Sequence, residues 1–314
     1  NIGLGANGTS DILVFTTINN GNQIDTATIT VTPSFNGCSG APIEFDFIVT
    51  PILEVSFIPD TVLCAGEEFS GVSFTGNVPN ASYDWVNDNI SIALAANGSG
   101  DISNFLVTNS GTVNQVATIT VTPVLPGCAG IDAQFTITVK PVPTVSTVPL
   151  SQTICHNEST TPIDFSGNIV DAIYDWTNDD VSIGIGSPGF GDIPSFTATN
   201  TSLVTETGTF TVTPSFNGCV GISENFTITV NPTPSVFPIP SQVLCADSPL
   251  VPIDFDGDFG DVATYTWTND NVLIGLLDNG VGDINTFLVQ NTTSDIQIAT
   301  ITVLPSLNGC EGLP

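Results

Sequence analysis

The sequence predicts an all-β protein built from tandem antiparallel β-sandwich repeats of about 91 residues. The first observation is a recurring Tyr-x-Trp-x-Asn-Asp motif, which contains all the tryptophans of the chain, at positions 85, 176 and 267. The second is a series of short segments in which apolar and polar residues alternate, as they do in half-buried strands. These segments are rich in Val, Ile, Thr and Phe, whereas no stretch combines helix-forming residues with a helical period. A fixed period of this length indicates a repeat array.

The predicted elements follow one another in the same order in each copy. An aspartate opens a turn and a strand that ends in phenylalanine, at Asp11–Phe15, Asp101–Phe105, Asp192–Phe196 and Asp283–Phe287. The next strand alternates Thr with apolar residues, at Ala27–Val31, Ala117–Val121, Thr209–Val212 and Ala299–Val303. A Gly-Cys pair follows it, at Gly37–Cys38, Gly127–Cys128, Gly218–Cys219 and Gly309–Cys310. The last strand is found in three copies, at Phe45–Val49, Phe135–Val139 and Phe226–Val230. About seven strands per copy predict an Ig-like sandwich, with two sheets around one core.

Proline-containing joins at Pro51, Pro141–Pro143 and Pro232–Pro234 predict the domain boundaries. Residues 1–51 form copy 1, the C-terminal half of a sandwich; 52–141 and 142–232 are the complete Ig-like repeats 2 and 3; 233–314 is repeat 4, which lacks its last strand. Proline fixes its backbone, so the joins are stiff and the repeats are expected to line up as a rod. The incomplete ends suggest a segment of a longer repetitive chain. Alternatively, another chain donates the missing last strand.

The charge balance is extreme, because one Lys and no Arg accompany 31 acidic residues, for a net charge of −30. Such a surface repels nucleic acid and anionic membranes. It suits a salty medium, where cations screen the charge and like molecules stay apart. Little is present to stabilise an oxyanion or a phosphate, and His156, the only histidine, has no nucleophile pattern beside it. The chain is therefore not expected to be an enzyme.

Several motifs carry a family resemblance: Gln-x-x-Cys, Trp-Thr-Asn-Asp, Gly-Asp-Ile, Thr-Val-Thr-Pro and Asn-Gly-Cys. The segment from Gln152 through Ile163–Gly167 to Trp176 resembles a PKD-type Ig-like repeat, although Trp176–Asp179 replaces the Trp-x-Phe-Gly-Asp-Gly run common in PKD domains. The whole chain resembles the tandem PKD-like repeats of giant cell-surface adhesins of gliding Bacteroidetes, the SprB type. The resemblance implies secretion, surface anchoring and filament-like length.

Two sets of recurring residues are candidates for binding. We expect Trp85, Trp176 and Trp267 to lie in the core, although an exposed carbohydrate-binding platform is the alternative. The recurring loop carboxylates are weak candidates for calcium, which needs six to eight oxygen ligands. They are Asp88, Asp101, Asp179, Asp192, Asp270 and Asp283. Single Asp and Asn residues in turns more often bond nearby backbone, so no cofactor is predicted beyond this calcium.

The seven cysteines are evenly spaced and form no zinc-ligand cluster, which favours disulfides and an oxidising, extracytoplasmic compartment. Counting suggests pairs within each repeat: Cys64–Cys128, Cys155–Cys219 and Cys245–Cys310. Topology argues against these pairs, since the two cysteines of a repeat lie at opposite ends of strands about 23 Å long, and a disulfide needs Cα atoms within about 7 Å. We therefore favour the inter-repeat pairs Cys64–Cys219 and Cys155–Cys310.

The favoured function is a structural and adhesive stalk of a very long, secreted and surface-anchored protein, with a role in adhesion and gliding. Its expected partners are surface polysaccharide or another external surface, the secretion and motility machinery, and like chains in a bundle. The alternatives are a glycan- or calcium-binding repeat module, or a non-catalytic region of a secreted polysaccharide-degrading enzyme.

Overall fold

The computed structural model describes residues 2–148 and 151–314. The chain divides into two compact units, Asn1–Val142 and Pro143–Pro314. Their boundary lies within the predicted join Pro141–Pro143. Each unit contains sheets of short strands and brief 3-10 turns, as the all-β prediction requires. Within the described residues, no helix has the length and apolar character needed to cross a membrane.

The first unit contains copy 1 and repeat 2. Its strands in copy 1 are β1 (Asp25–Val31), β2 (Ser34–Phe35), β3 (Cys38–Ser39) and β4 (Ile43–Val49). Its elements in repeat 2 are β5 (Thr61–Cys64), β6 (Glu68–Phe69), β7 (Ser82–Asn87), η1 (Ile90–Ile92), β8 (Asn97–Ser99), β9 (Phe105–Leu106), β10 (Gln115–Leu125), β11 (Cys128–Ala129) and β12 (Ala133–Lys140).

The second unit contains repeats 3 and 4. Its elements in repeat 3 are β13 (Ser146–Val148), β14 (Ser151–Cys155), β15 (Asp164–Ser166), β16 (Ile173–Asn178), η2 (Val181–Ile183), β17 (Gly189–Phe190), β18 (Glu206–Phe216), β19 (Cys219–Val220) and β20 (Glu224–Asn231). Its elements in repeat 4 are η3 (Gly260–Val262), β21 (Thr264–Asn269), η4 (Val272–Ile274), β22 (Asn279–Val281), β23 (Ile301–Leu307) and β24 (Cys310–Glu311).

Repeats 2 and 3 have the same main sheet. Its strand order is β5-β12-β10-β7-β8 in repeat 2 and β14-β20-β18-β16-β17 in repeat 3. The short strands β11 and β19 pair with β10 and β18 and close the hairpin that carries the Gly-Cys motif. Repeat 4 keeps the corresponding order β22-β21-β23-β24, and copy 1 keeps the β1–β4 pair. The tandem repetition is therefore visible in the topology as well as in the sequence.

One strand of each complete repeat departs from the predicted antiparallel arrangement. β5 pairs in parallel with β12, and β14 pairs in parallel with β20, with Cys64 opposite Lys140 and Cys155 opposite Asn231. The remaining strand pairs of the main sheets are antiparallel. A parallel pair requires a connection that returns to the same end of the sheet, so it could not be predicted from the alternation within each strand.

Each of repeats 2, 3 and 4 has its own hydrophobic cluster in the described part of the chain. In β10 the buried positions alternate with half-buried ones, and Ile119 and Val121 are fully buried. In β18 the same register buries Phe210 and Val212. The period-two pattern therefore fills a separate core in each of repeats 2, 3 and 4.

Candidate functional site

The recurring tryptophans lie in the cores, with exposed fractions of 7% for Trp85, 6% for Trp176 and 6% for Trp267. Their strands alternate exposed and buried residues, which places the flanking polar side chains in solvent. Each indole Nε1 donates a hydrogen bond to the carbonyl oxygen of a glycine fifteen residues later, at Gly100, Gly191 and Gly282. Burial excludes the alternative in which these rings form an exposed carbohydrate platform.

A second glycine covers each tryptophan from the neighbouring strand. Gly98, Gly189 and Gly280 stand opposite Trp85, Trp176 and Trp267 in the sheet. In repeat 3, a Cβ atom on Gly189 would lie 2.0 Å from Trp176 Cζ2. The backbone can approach the ring this closely only because glycine has no side chain. This contact was not predicted from the sequence, although the constant spacing between Trp and Gly is a signal that could have shown it.

The six candidate calcium ligands each accept a hydrogen bond from a backbone amide that lies 27 to 30 residues away in the chain. In repeat 3, Asp179 Oδ1 accepts from Thr209 N at 2.6 Å, and Asp192 Oδ1 accepts from Phe165 N at 2.7 Å. The other repeats have the same pairs: Asp88 with Thr118, Asp270 with Thr300, Asp101 with Phe74 and Asp283 with Phe255. These carboxylates therefore link segments that are distant in the chain rather than cap their own turns.

The surroundings of these carboxylates fit calcium poorly. The described residues contain no group of three or more His, Cys, Asp or Glu side chains that could hold a metal ion. Calcium needs six to eight oxygens, and one oxygen of each candidate already accepts an amide hydrogen. Calcium binding at these positions stays a prediction, and the geometry gives their recurrence a structural explanation.

Buried tyrosines add a set of titratable groups to the cores. Burial raises the pKa of Tyr83, Tyr174 and Tyr265 above the ordinary value. Nearby carboxylates add to the shift, Asp101 for Tyr83 and Asp192 for Tyr174, because a negative neighbour disfavours a phenolate. These tyrosines are thus kept neutral as parts of the packing.

The feature with the clearest chemical role is a disulfide between Cys155 of repeat 3 and Cys310 of repeat 4, with Cα atoms 5.6 Å apart. It is one of the two inter-repeat pairs favoured from the sequence. The alternative intra-repeat pairs Cys155–Cys219 and Cys245–Cys310 are therefore wrong. The third alternative, Cys64–Cys128, is also wrong, because Cys128 is a free thiol. Cys64 and Cys219 are also disulfide-bonded. Their pairing with one another stays a prediction.

Strand order explains why a repeat does not pair its own cysteines. Cys155 ends β14 opposite Asn231, the last residue of β20. Cys219 begins β19, which comes before the first residue of β20 along the chain. Each residue of a strand adds about 3.3 Å, so the eight residues of β20 hold these sulfur atoms far beyond bonding distance.

A tight turn holds Cys155 in position, and we call residues 155–158 the cysteine corner of repeat 3. Glu158 Oε2 accepts from Cys155 N at 3.1 Å, while Glu158 N donates to Cys155 O at 3.1 Å. Asn157 adopts a positive φ of 69° and donates its N–H to Ala198 O. His156 Nδ1 accepts from Asn200 N at 2.9 Å, so the only histidine of the chain supports this corner.

Cys310 lies on the opposing element, which is the hairpin between β23 and β24. Asn308 and Gly309 form its turn with positive φ values of 49° and 82°, and Cys310 pairs with Leu307. Two successive residues with positive φ are typical of the tight turns that join antiparallel strands, and Asn-Gly is the favoured pair there. The side chain of Cys310 is 1% exposed, whereas Cys38, Cys128 and Cys245 are exposed free thiols.

Comparison with known protein families gives one match, to a PKD-like domain, over residues 61–143. The matched segment covers most of repeat 2, and the same sheet order recurs in repeat 3. The finding supports the PKD-like and Ig-like character of the repeat. It does not distinguish SprB-type adhesins from other proteins with such repeats. No curated protein matches the chain.

Comparison with solved structures finds several similar chains at low identity. Repeats EC21–23 of human CDH23 are 11% identical, with 83% of this chain and 98% of that chain covered, at a TM-score of 0.39. Repeats EC3–6 of protocadherin gammaB7 are 11% identical, covering 91% and 83%, at 0.34. The insect immune protein hemolin is 11% identical, covering 94% and 91%, at 0.30.

Proposed function

We propose that the chain is part of the structural and adhesive stalk of a very long, secreted cell-surface protein. The observation that carries this proposal is the Cys155–Cys310 disulfide, which joins two repeats that have separate hydrophobic clusters. A covalent link between separately packed domains restricts their relative motion without creating a shared pocket. Such a device suits a molecule that transmits force or holds a distant part away from the cell.

The same features support the compartment and partners that we propose. Disulfides persist in oxidising surroundings outside the cytoplasm, which supports an extracellular, surface-anchored location. The net charge of −30 discourages contact with anionic membranes and nucleic acid. We propose an external surface such as a polysaccharide as the target of adhesion. We further propose the secretion and gliding machinery as the partners at the cell, and bundling with like chains.

Small-angle scattering on the whole chain tests the stalk proposal. We expect C155S and C310S to have a broader distribution of maximum dimensions than the unmodified chain, because the link between repeats 3 and 4 is lost. C245S is the matched control, since it removes an exposed thiol at the corresponding position of repeat 4 without breaking a disulfide. Equal distributions of maximum dimensions for all four proteins would show that the disulfide does not restrict the relative motion of repeats 3 and 4.

A specific observation also favours a glycan-binding module as a second candidate. A shallow cavity of about 380 Å³ lies on the outer face of the main sheet in repeat 3. Its lining includes Phe190, which is 82% exposed, together with Asp175, Thr177, Thr211 and Thr213. An exposed ring beside a carboxylate and hydroxyl groups can stack on a sugar and bond its hydroxyls.

A glycan array probed with the whole chain and with F190A tests this second candidate. Binding that is lost in F190A and kept in F35A, which removes an exposed ring from copy 1, would support the cavity. Identical array profiles for the two variants would count against it.

A further inference from the structure

We propose that the cysteine corner of repeat 4, formed by residues 245–248, is a docking surface for the Gly-Cys hairpin of another PKD-like repeat. A second copy of this chain supplies such a hairpin through Cys38, so that copies join end to end by a Cys245–Cys38 disulfide. This inference goes beyond the stalk proposal, because it assigns a partner and a covalent chemistry to thiols that are free within one chain.

The first step is that the two cysteine corners share two backbone hydrogen bonds and a residue with positive φ. In repeat 4, Ser248 N donates to Cys245 O at 3.1 Å and Asp247 N donates to Val289 O at 2.8 Å. These bonds match those from Glu158 to Cys155 and from Asn157 to Ala198 in repeat 3. Asp247 has a positive φ of 62°, as Asn157 has at 69°. The corner that is disulfide-bonded in repeat 3 is thus already formed in repeat 4, where its thiol is free.

A glutamine three residues before the cysteine makes the same hydrogen bonds in both repeats. Gln242 bonds both backbone groups of Val251 through its side-chain amide, at 3.1 and 3.3 Å. Gln152 makes the same pair of bonds to Thr161, at 3.0 and 2.9 Å. The Gln-x-x-Cys motif therefore makes the same side-chain bonds in both repeats, although Cys155 ends a strand and residues 241–245 form none.

The second step is that the hairpin of Cys38 matches the hairpin of Cys310. Cys38 pairs with Phe35 across a turn in which Asn36 and Gly37 have φ values of 48° and 86°. The corresponding φ values before Cys310 are 49° and 82°. The same hairpin is therefore bonded in repeat 4 and free in copy 1, where Cys38 is exposed.

The Cys155–Cys310 disulfide is the observation that identifies the ligand. It shows that this corner binds this hairpin, and that the hairpin cysteine becomes almost fully buried when it does. Cys245 and Cys38 are the unbonded counterparts of the two halves, and they lie in different units of the same chain. Joining them between copies would repeat a contact that the molecule already makes.

Cys128 is the less suitable hairpin cysteine, for two reasons. Its turn has Pro126 where the other hairpins have Asn, and its Sγ accepts a hydrogen bond from Thr50 at 3.4 Å. It also lines a cavity of about 530 Å³ together with Thr17–Asn20 and Val49–Pro51 of copy 1. Copy 1 therefore already lies beside this hairpin.

The chemistry is thiol–disulfide exchange with a small disulfide such as oxidised glutathione. The Cys245 thiolate attacks a glutathione sulfur, which forms a mixed disulfide and releases one glutathione thiolate. The Cys38 thiolate of a second copy then attacks the Cys245 sulfur and releases the second glutathione. Two protein thiols are oxidised and one glutathione disulfide is reduced to two thiols, which take up the two protons that Cys245 and Cys38 lose.

The test uses the whole chain at high salt, which screens the charge of −30 on each copy. Maleimide labelling of one aliquot shows that the thiols are reduced. Oxidised glutathione is then added to an unlabelled aliquot, which is run on electrophoresis without reductant. We expect a ladder of covalent oligomers. C245S and C38S should each stop the ladder at the dimer or earlier, whereas C128S should leave it unchanged.

Peptide mapping with an Asp- and Glu-specific protease identifies the linked residues, since the chain has too few basic residues for trypsin. A Cys245–Cys38 peptide is the expected product. Cys245–Cys245 or Cys38–Cys38 peptides as the main products, a ladder that survives in C245S, or no ladder at all would each overturn the proposal. The Cys155–Cys310 peptide should appear in every case, so failure here is separate from failure of the stalk proposal.

Discussion

Single residues explain why the most conspicuous motif of this chain is structural. Trp176 is expected in the core because the residues on either side of it are polar and alternate with it along the strand. Gly189 lies opposite Trp176 on the neighbouring strand and leaves room for the ring because it has no side chain. The indole N–H is bonded to Gly191 O at 3.1 Å, so burial leaves no polar group of the ring without a partner.

Replacing Gly189 with alanine should destabilise repeat 3, because the new Cβ would lie 2.0 Å from Trp176 Cζ2. Overpacking of this kind costs about 1–3 kcal/mol. Urea unfolding followed by tryptophan fluorescence measures the change. G186A is the matched control, since nothing lies within 4 Å of its Cβ position. Equal midpoints for the two variants would show that the ring moves aside at no cost.

The buried tyrosines predict a loss of stability at alkaline pH. Their pKa values are raised in the folded state by burial, so the unfolded chain loses these protons first. Their contribution is fully present below about pH 10, the ordinary pKa of tyrosine, and is lost as the pH rises through the higher folded pKa values.

We expect Y174F to reduce this alkaline loss, because phenylalanine keeps the ring packing and cannot ionise. Urea unfolding of the unmodified chain and of Y174F at about pH 8 and about pH 11 measures the difference, these being either side of the ordinary tyrosine pKa. If the free energy of unfolding falls by the same amount between the two pH values in both proteins, groups other than Tyr174 cause the alkaline loss.

Among the strands, the parallel pair decides where the cysteines lie. β14 runs alongside β20 and carries Cys155 to the end of that strand, and β5 carries Cys64 to the end of β12 in the same way. The Gly-Cys hairpins lie at the other end of the main strands. Repeats 2, 3 and 4 each have a cysteine at both ends, which is the arrangement that a series of inter-repeat disulfides requires.

This arrangement predicts that Cys64 pairs with Cys219, as Cys155 pairs with Cys310. Digestion without reductant, followed by mass spectrometry, should give a peptide that joins Cys64 to Cys219. After reduction that peptide should separate into its two halves. A Cys64–Cys128 peptide would instead show that repeat 2 closes on itself and that the links are not periodic.

For the whole molecule, the dominant property is the unbalanced negative charge. The six recurring aspartates each accept a hydrogen bond from a backbone amide. The remaining acidic groups have only one lysine and no arginine in the chain to neutralise them. Self-repulsion of this kind keeps molecules soluble and apart, and it opposes compaction unless cations screen it. The charge is thus expected to set the solution conditions in which the repeats are stable.

We predict that the melting temperature rises with ionic strength and that calcium chloride and magnesium chloride raise it equally. The reason is that screening does not distinguish the two ions, whereas a built calcium site would. Calorimetry in matched concentrations of each salt measures this. A rise specific to calcium, lost in D192N and kept in D171N, would favour the calcium-binding alternative.

The sequence by itself determined the repeat, its strands and its core, because a period of 91 residues and an alternation of two are both local patterns. The tryptophans, the turn glycines and the preference for inter-repeat cysteine pairs followed from those patterns. Only the tertiary structure decided the parallel first strand, the glycine that covers each tryptophan and the distant amide that each recurring aspartate accepts. These features join residues far apart in the chain, and the spacing of residues within a strand says nothing about which other strand will lie beside it.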